Sequence, residues 1–75
     1  MKLYWPMAIY EKHDGTHEQL HTYDSELTLA RTQRVFDCWK NDYHLNIIKA
    51  WVDVTENGQK VKTVNVDLIK VPDVE

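Results

Sequence analysis

Seventy-five residues, 43% of them apolar, suffice for one domain over residues 1–75 with one two-layer core, and exclude a disordered chain. Nine Lys and Arg against twelve Asp and Glu leave a net charge of −3, which argues against a broad phosphate-binding surface. The lone Cys38 excludes an internal disulfide. The apolar run Leu3 to Tyr10 is short and holds Pro6, so neither a signal nor a membrane segment is expected, and a cytoplasmic location is.

Residues 2 to 12 alternate in a way that predicts a strand, with Leu3, Trp5, Met7 and Ile9 toward the core and Tyr4, Pro6, Ala8 and Tyr10 away from it. Pro6 has no N–H to give a ladder, which places this strand at a sheet edge near that point. His13-Asp14-Gly15-Thr16 is the next turn signal. A two-residue Asp14-Gly15 turn sets Ile9 opposite Leu20, joining two core residues, but also sets Glu11 against Glu18. A second strand from His17 to Tyr23 alternates poorly.

Asp24 or Ser25 can cap a helix, with Glu26 complementing its dipole. At about 100° per residue, Leu29, Thr32, Val35, Phe36, Trp39 and Tyr43 share one face, which should lie on the sheet. The opposite stripe holds Leu27, Arg31, Arg34 and Cys38, and Asn41-Asp42 close the helix. From about Leu45 the chain becomes strand again, up to Thr55-Glu56-Asn57-Gly58-Gln59. A two-residue Asn57-Gly58 turn would set Ile48, Ala50 and Val52 opposite Asp67, Asn65 and Thr63, mixing core with solvent. A three-residue loop, Glu56 to Gly58 with Gly58 left-handed, gives Ile48/Val66, Ala50/Val64 and Val52/Lys62 on one face with Leu68 beyond. The other face then carries Ile47/Asp67, Lys49/Asn65, Trp51/Thr63 and Asp53/Val61, and this separation selects the longer loop. Pro72 ends the last strand. The expected fold is α+β, ββαββ: a four-stranded, mostly antiparallel sheet with one helix packed across one face.

Little in the chain points to catalysis. There is no Gly-rich phosphate loop with a Lys and no metalloprotease His pair, and the carboxylates are scattered, so no catalytic residue and no cofactor is expected. His13, His17 and His21 repeat every four residues, but along a strand the outer two would stand about 26 Å apart, too far to share a metal. Arg34 beside Cys38 would favour a thiolate, yet no His or Asp is placed next to it by local sequence.

The outward sheet face is the better candidate. It would carry Trp51, Lys49 and Asn65, with Ile47, Val61, Tyr4 and Tyr10, and also Asp53 and Asp67. Rings on a sheet face stack unpaired bases and Lys49 could meet phosphate, but the aspartates repel a nucleic-acid backbone. Aromatics among mixed charges suit a protein partner. Arg31 and Arg34 on the helix stripe suit an acidic groove on such a partner.

The segment Leu3 to Gly15, with its Tyr4-Trp5-Pro6 and Asp14-Gly15, resembles the first strand of bacterial HicB-type antitoxins over thirteen residues. The following segment lacks the Pro- and Gly-containing stretch of that family, so the resemblance carries no function across. The expected role is a non-enzymatic protein-binding module, an adaptor, inhibitor or accessory factor. Single-stranded nucleic-acid binding by the aromatic face is the alternative, and homodimerisation through an edge strand a third reading.

Overall fold

A computed structural model describes residues 1–22 and 24–66; Tyr23, Asp67, Leu68 and Pro72 lie outside the described residues. Four strands, β1 (Lys2–Glu11), β2 (His17–His21), β3 (Asn46–Glu56) and β4 (Gln59–Val66), form one antiparallel sheet in the order β2-β1-β3-β4. A helix, α1 (Thr32–Asp37), continues as a π-helical turn over Cys38–Asp42. This is the expected α+β architecture. Among the described residues no helix is long and apolar enough to cross a membrane.

In β1 the expected facing is reversed. Tyr4, Pro6 and Ala8 are buried under α1, and Leu3, Trp5, Met7 and Ile9 are half-exposed on the other side. Both rows are apolar, so alternation alone cannot choose between them. Side-chain volume does: the slim Pro6 and Ala8 leave room for Phe36 and Trp39, whose rings meet edge-on at 5.7 Å above Ala8, Ala50, Val52 and Val54.

β1 is also interior rather than an edge, being paired with β3 along its length and with β2 from Met7 to Glu11. Pro6 is tolerated because of where its nitrogen points. Backbone groups alternate sides, so Pro6 faces the same way as Tyr4, whose N–H and C=O exchange bonds of 2.9 and 2.8 Å with Glu26. The β2 ladder starts only at Met7↔His21, which leaves Pro6 opposite a gap.

Each hairpin uses the loop expected of the other. Lys12 N–H donates to the Thr16 carbonyl at 2.8 Å and Gly15 N–H to the Lys12 carbonyl at 2.9 Å, giving a three-residue loop with Gly15 at φ +85°. The Asp14 carboxylate accepts from the Thr16 backbone and hydroxyl, tightening the turn. The resulting register pairs Ala8 with Leu20 and Ile9 with Gln19. It also resolves the charge conflict: Glu11 faces His17, and Glu18 faces Tyr10.

In the second hairpin Asn57 (φ 54°) and Gly58 (φ 83°) form a two-residue turn between Glu56 and Gln59. The ladder is interrupted, however. Thr55 pairs with Lys60 and Val54 with Lys62, so Val61 is left over as a bulge, 53% exposed. Beyond it the pairs are Asp53↔Thr63, Val52↔Val64, Trp51↔Asn65 and Ala50↔Val66. The expected partners are therefore wrong by two residues. A two-residue offset preserves parity, so Ala50, Val52, Val64 and Val66 still face the helix and Trp51 and Asp53 still face away.

A further irregularity swaps two isoleucines. Ile9 pairs with Lys49 but Tyr10 with Ile47, so Ile48, expected inside, is the bulged residue and 48% exposed, while Ile47, expected outside, packs against the core.

The helix starts later than expected. Glu26 is committed to its bridge with Tyr4, and bonds from Thr32 to Leu29, Gln33 to Ala30 and Arg34 to Arg31 lead into α1. Leu29, Thr32, Phe36 and Trp39 are buried and Val35 packs beside them, as their spacing predicts. Tyr43 departs from that face and is 66% exposed. The π turn, closed by Tyr43 N–H to the Cys38 carbonyl at 3.1 Å, carries an extra residue and rotates Tyr43 off the inward line. His44 at φ 54° then turns the chain into β3.

Candidate protein-binding face

With α1 on one side, the other side of the sheet is a surface two long strands wide at its centre. Leu3, Trp5, Met7 and Ile9 of β1 lie beside Thr55, Asp53, Trp51 and Lys49 of β3 in register. Thr63 and Asn65 of β4 continue the Asp53 and Trp51 rows. Among the described residues no element crosses this face. Its five large apolar side chains, Leu3, Trp5, Met7, Ile9 and Trp51, are all half-exposed.

Several polar groups on the face are paired within it. Trp5 Nε1–H donates to Thr55 Oγ1 at 3.0 Å. Thr63 Oγ1 donates to Asp53 Oδ1 at 3.0 Å, and Lys60 Nζ stands 3.5 Å from the same oxygen. Lys49 Nζ lies 5.6 Å from the centre of the Trp51 ring, within cation–π range. A shallow depression of about 370 Å³ runs between Trp5, Met7, His21, Asp53 and Lys60.

Of the residues expected here, Trp51, Lys49 and Asn65 are in place. Tyr4 is not: it is 6% exposed in the core, because it belongs to the even row beneath α1. Tyr10 also lies on the helix side, opposite Ile47, and its hydroxyl donates to Glu18 at 2.8 Å. That bond, together with Lys12 Nζ at 2.9 Å, holds the Glu18 carboxyl below its ordinary pKa and raises those of Tyr10 and Lys12. Trp5, Met7, Leu3 and Ile9 replace the two tyrosines. Only the slim Pro6 and Ala8 hinted at this facing, and they decide nothing until Phe36 and Trp39 pack on them.

The helix stripe is not a single helical face, since Leu27 and Arg31 precede α1. Arg31 and Arg34 are both exposed and flank a cleft of about 550 Å³ with Glu26 and Ala30. This cleft belongs to the helical layer, away from Trp51. Cys38 is half-buried, and burial followed by the Asp42 carboxylate pushes its pKa up, opposite to the expected effect of Arg34. Among the described residues no three metal-binding side chains converge; His17 instead stands 3.4 Å from Glu11. No protein-family model matches the chain, and no curated protein or solved structure matches it significantly.

Proposed function

We propose that the chain is a non-enzymatic protein-binding module, an adaptor, inhibitor or accessory factor, that engages its partner through the Trp5, Met7 and Trp51 face. The observation that carries this reading is an apolar row pair, uncovered among the described residues, several of whose polar neighbours are already paired. Covering such a face removes apolar area from water while orphaning few donors or acceptors, the combination that favours protein contact. Trp residues are also the side chains that most often dominate binding energy. A phosphate-bearing partner would need clustered cations, but Lys60 is paired with Asp53, whose carboxylate also lies on the same face as Lys49. Arg31 and Arg34 lie in the other layer and are a secondary contact at most.

The test is capture from the native cell with the wild-type chain, Trp51→Arg and Arg34→Glu side by side, after circular dichroism has shown that each variant folds. Loss of the captured protein with Trp51→Arg and its retention with Arg34→Glu is the expected result. Identical captured sets for all three chains would remove the proposal.

A further inference from the structure

Resting on that reading, we infer that the occupant of the open face is a second copy of this chain, packed sheet to sheet about a twofold axis that crosses the strands at the Met7–Trp51 row. The case begins with the order of side chains along β3. Lys49, Trp51 and Asp53 point to the same side, so a cation and an anion stand at equal distances on either side of an indole. A twofold axis lying in the interface, perpendicular to the strands and passing through Trp51, sets Lys49 of each copy over Asp53 of the other. The same operation on β1 sets Trp5 over Ile9 and Met7 over Met7. The three central rows thus each meet a row they can accept, the self-complementarity that an isologous interface requires.

The alternative axis, parallel to the strands, fails this test. It lays β1 over β3, pressing Trp5 onto the Asp53 carboxylate and Ile9 onto the Lys49 ammonium. That arrangement buries two charges against apolar groups, which is costly.

The charged groups are also left available for the first arrangement. Both contacts of Asp53 fall on Oδ1, and Oδ2 has no partner among the described residues. Lys49 has a ring contact but no ion pair among them. Oδ2 of Asp53 can therefore accept a further cation, and Lys49 can gain an ion pair.

Area sets the strength. The strands β1 to β4 run ten, five, eleven and eight residues. At about 3.3 Å per residue and about 4.8 Å per strand, the sheet face offers roughly 540 Å² per copy. Two such faces total about 1,100 Å², just under the lower bound for a stable specific interface, so the dimer is a weak one that forms at high concentration. An aligned crossing of about 30° still leaves Lys49 and Asp53, only two residues from the axis, within side-chain reach.

Sedimentation equilibrium between about 10 μM and 1 mM reads the outcome. The wild type should dimerise. Lys49→Asp and Asp53→Lys each turn both cross-copy attractions into repulsions and should weaken dimerisation at least about tenfold. An equimolar mixture of these two variants should dimerise again. The aspartate introduced at position 49 of one chain then meets the lysine introduced at position 53 of the other, while the unaltered Asp53 and Lys49 meet across the second contact. Met7→Arg, which sets two cations face to face at the axis and touches none of the ion pairs, should be monomeric. A monomeric wild type, single variants that dimerise like the wild type, or a mixture that stays monomeric would each overturn the inference. So would a dimer indifferent to Met7→Arg, which would point to pairing of strand edges. A monomer that still captures a different protein through Trp51 sinks self-association alone and leaves the broader binding role intact.

Discussion

The Glu18 carboxylate ties together three parts of the first hairpin. It accepts from Tyr10 and pairs with Lys12, and both contacts favour its ionised form. Asp14 is held down in the same way by Thr16. A carboxyl whose folded pKa lies below its unfolded value contributes stability that is present above about pH 4.3 and lost as pH falls through the folded value. The melting temperature should therefore decline on acidification below that point. Glu18→Gln should flatten the decline while leaving Asp14's share, as thermal melts between pH 2 and 7 would show. Tyr10 and Lys12 act with the opposite sign: their raised values give stability present at neutral pH and lost as the solution becomes strongly alkaline.

At the level of single elements, the bulge at Val61 decides the sheet. A two-residue Asn57-Gly58 turn is the stronger hairpin signal, yet on a regular ladder it would turn the apolar row outward; one skipped residue reconciles turn chemistry with burial. Since Val61 faces no residue across the ladder and is mostly exposed, deleting it should join the turn directly to the pairs beyond it. The deletion is expected to change stability by no more than about 1 kcal/mol and to keep Trp51 opposite Asn65, as amide cross-peaks between β3 and β4 would report. A wholesale unfolding would mean that the bulge itself holds the register. Face membership in β3 and β4 was legible in the sequence because it needs only parity. Exact partners were not, because nothing local marks Val61 or Ile48 as the residue to be skipped. The facing of β1 was illegible for a different reason. Its two rows are equally apolar, and the choice depends on the volume of Phe36 and Trp39, which arrive from elsewhere in the chain. Likewise the helix start was overridden by a tertiary contact, the bond pair between Glu26 and Tyr4.

The described residues form two unlike sides, one sealed beneath α1 and one that none of them covers. The sealed side holds Phe36, Val52 and Val54 at 0% exposure; the sequence reading placed Phe36 and Val52 there, but set Tyr4, Pro6 and Ala8 outside and Ile48 and Tyr43 inside. The open side was anticipated through Trp51 but only partly populated correctly, since two of its expected rings lie on the helix side. Its apolar character sets a salt response. Contact driven by apolar area should survive at 1 M salt, losing only the share supplied by charge pairs, whereas a phosphate contact would fade steeply. Repeating the sedimentation measurement at about 50 mM and about 1 M NaCl checks this at the scale of the complete chain. A dimer abolished at high salt would contradict an apolar interface.

On the side away from β3, Pro6 has no ladder partner among the described residues, and Glu26 rejoins Tyr4 just past it. Among the described residues no ladder pair falls between His21 and Glu26, so an insertion after Asp24 breaks no rung there. Evolution, or an engineer, has there a natural splice point: extra residues inserted between Asp24 and Ser25 would balloon from the rim of the sheet while the tryptophan-bearing side and the packed interior stayed as they are.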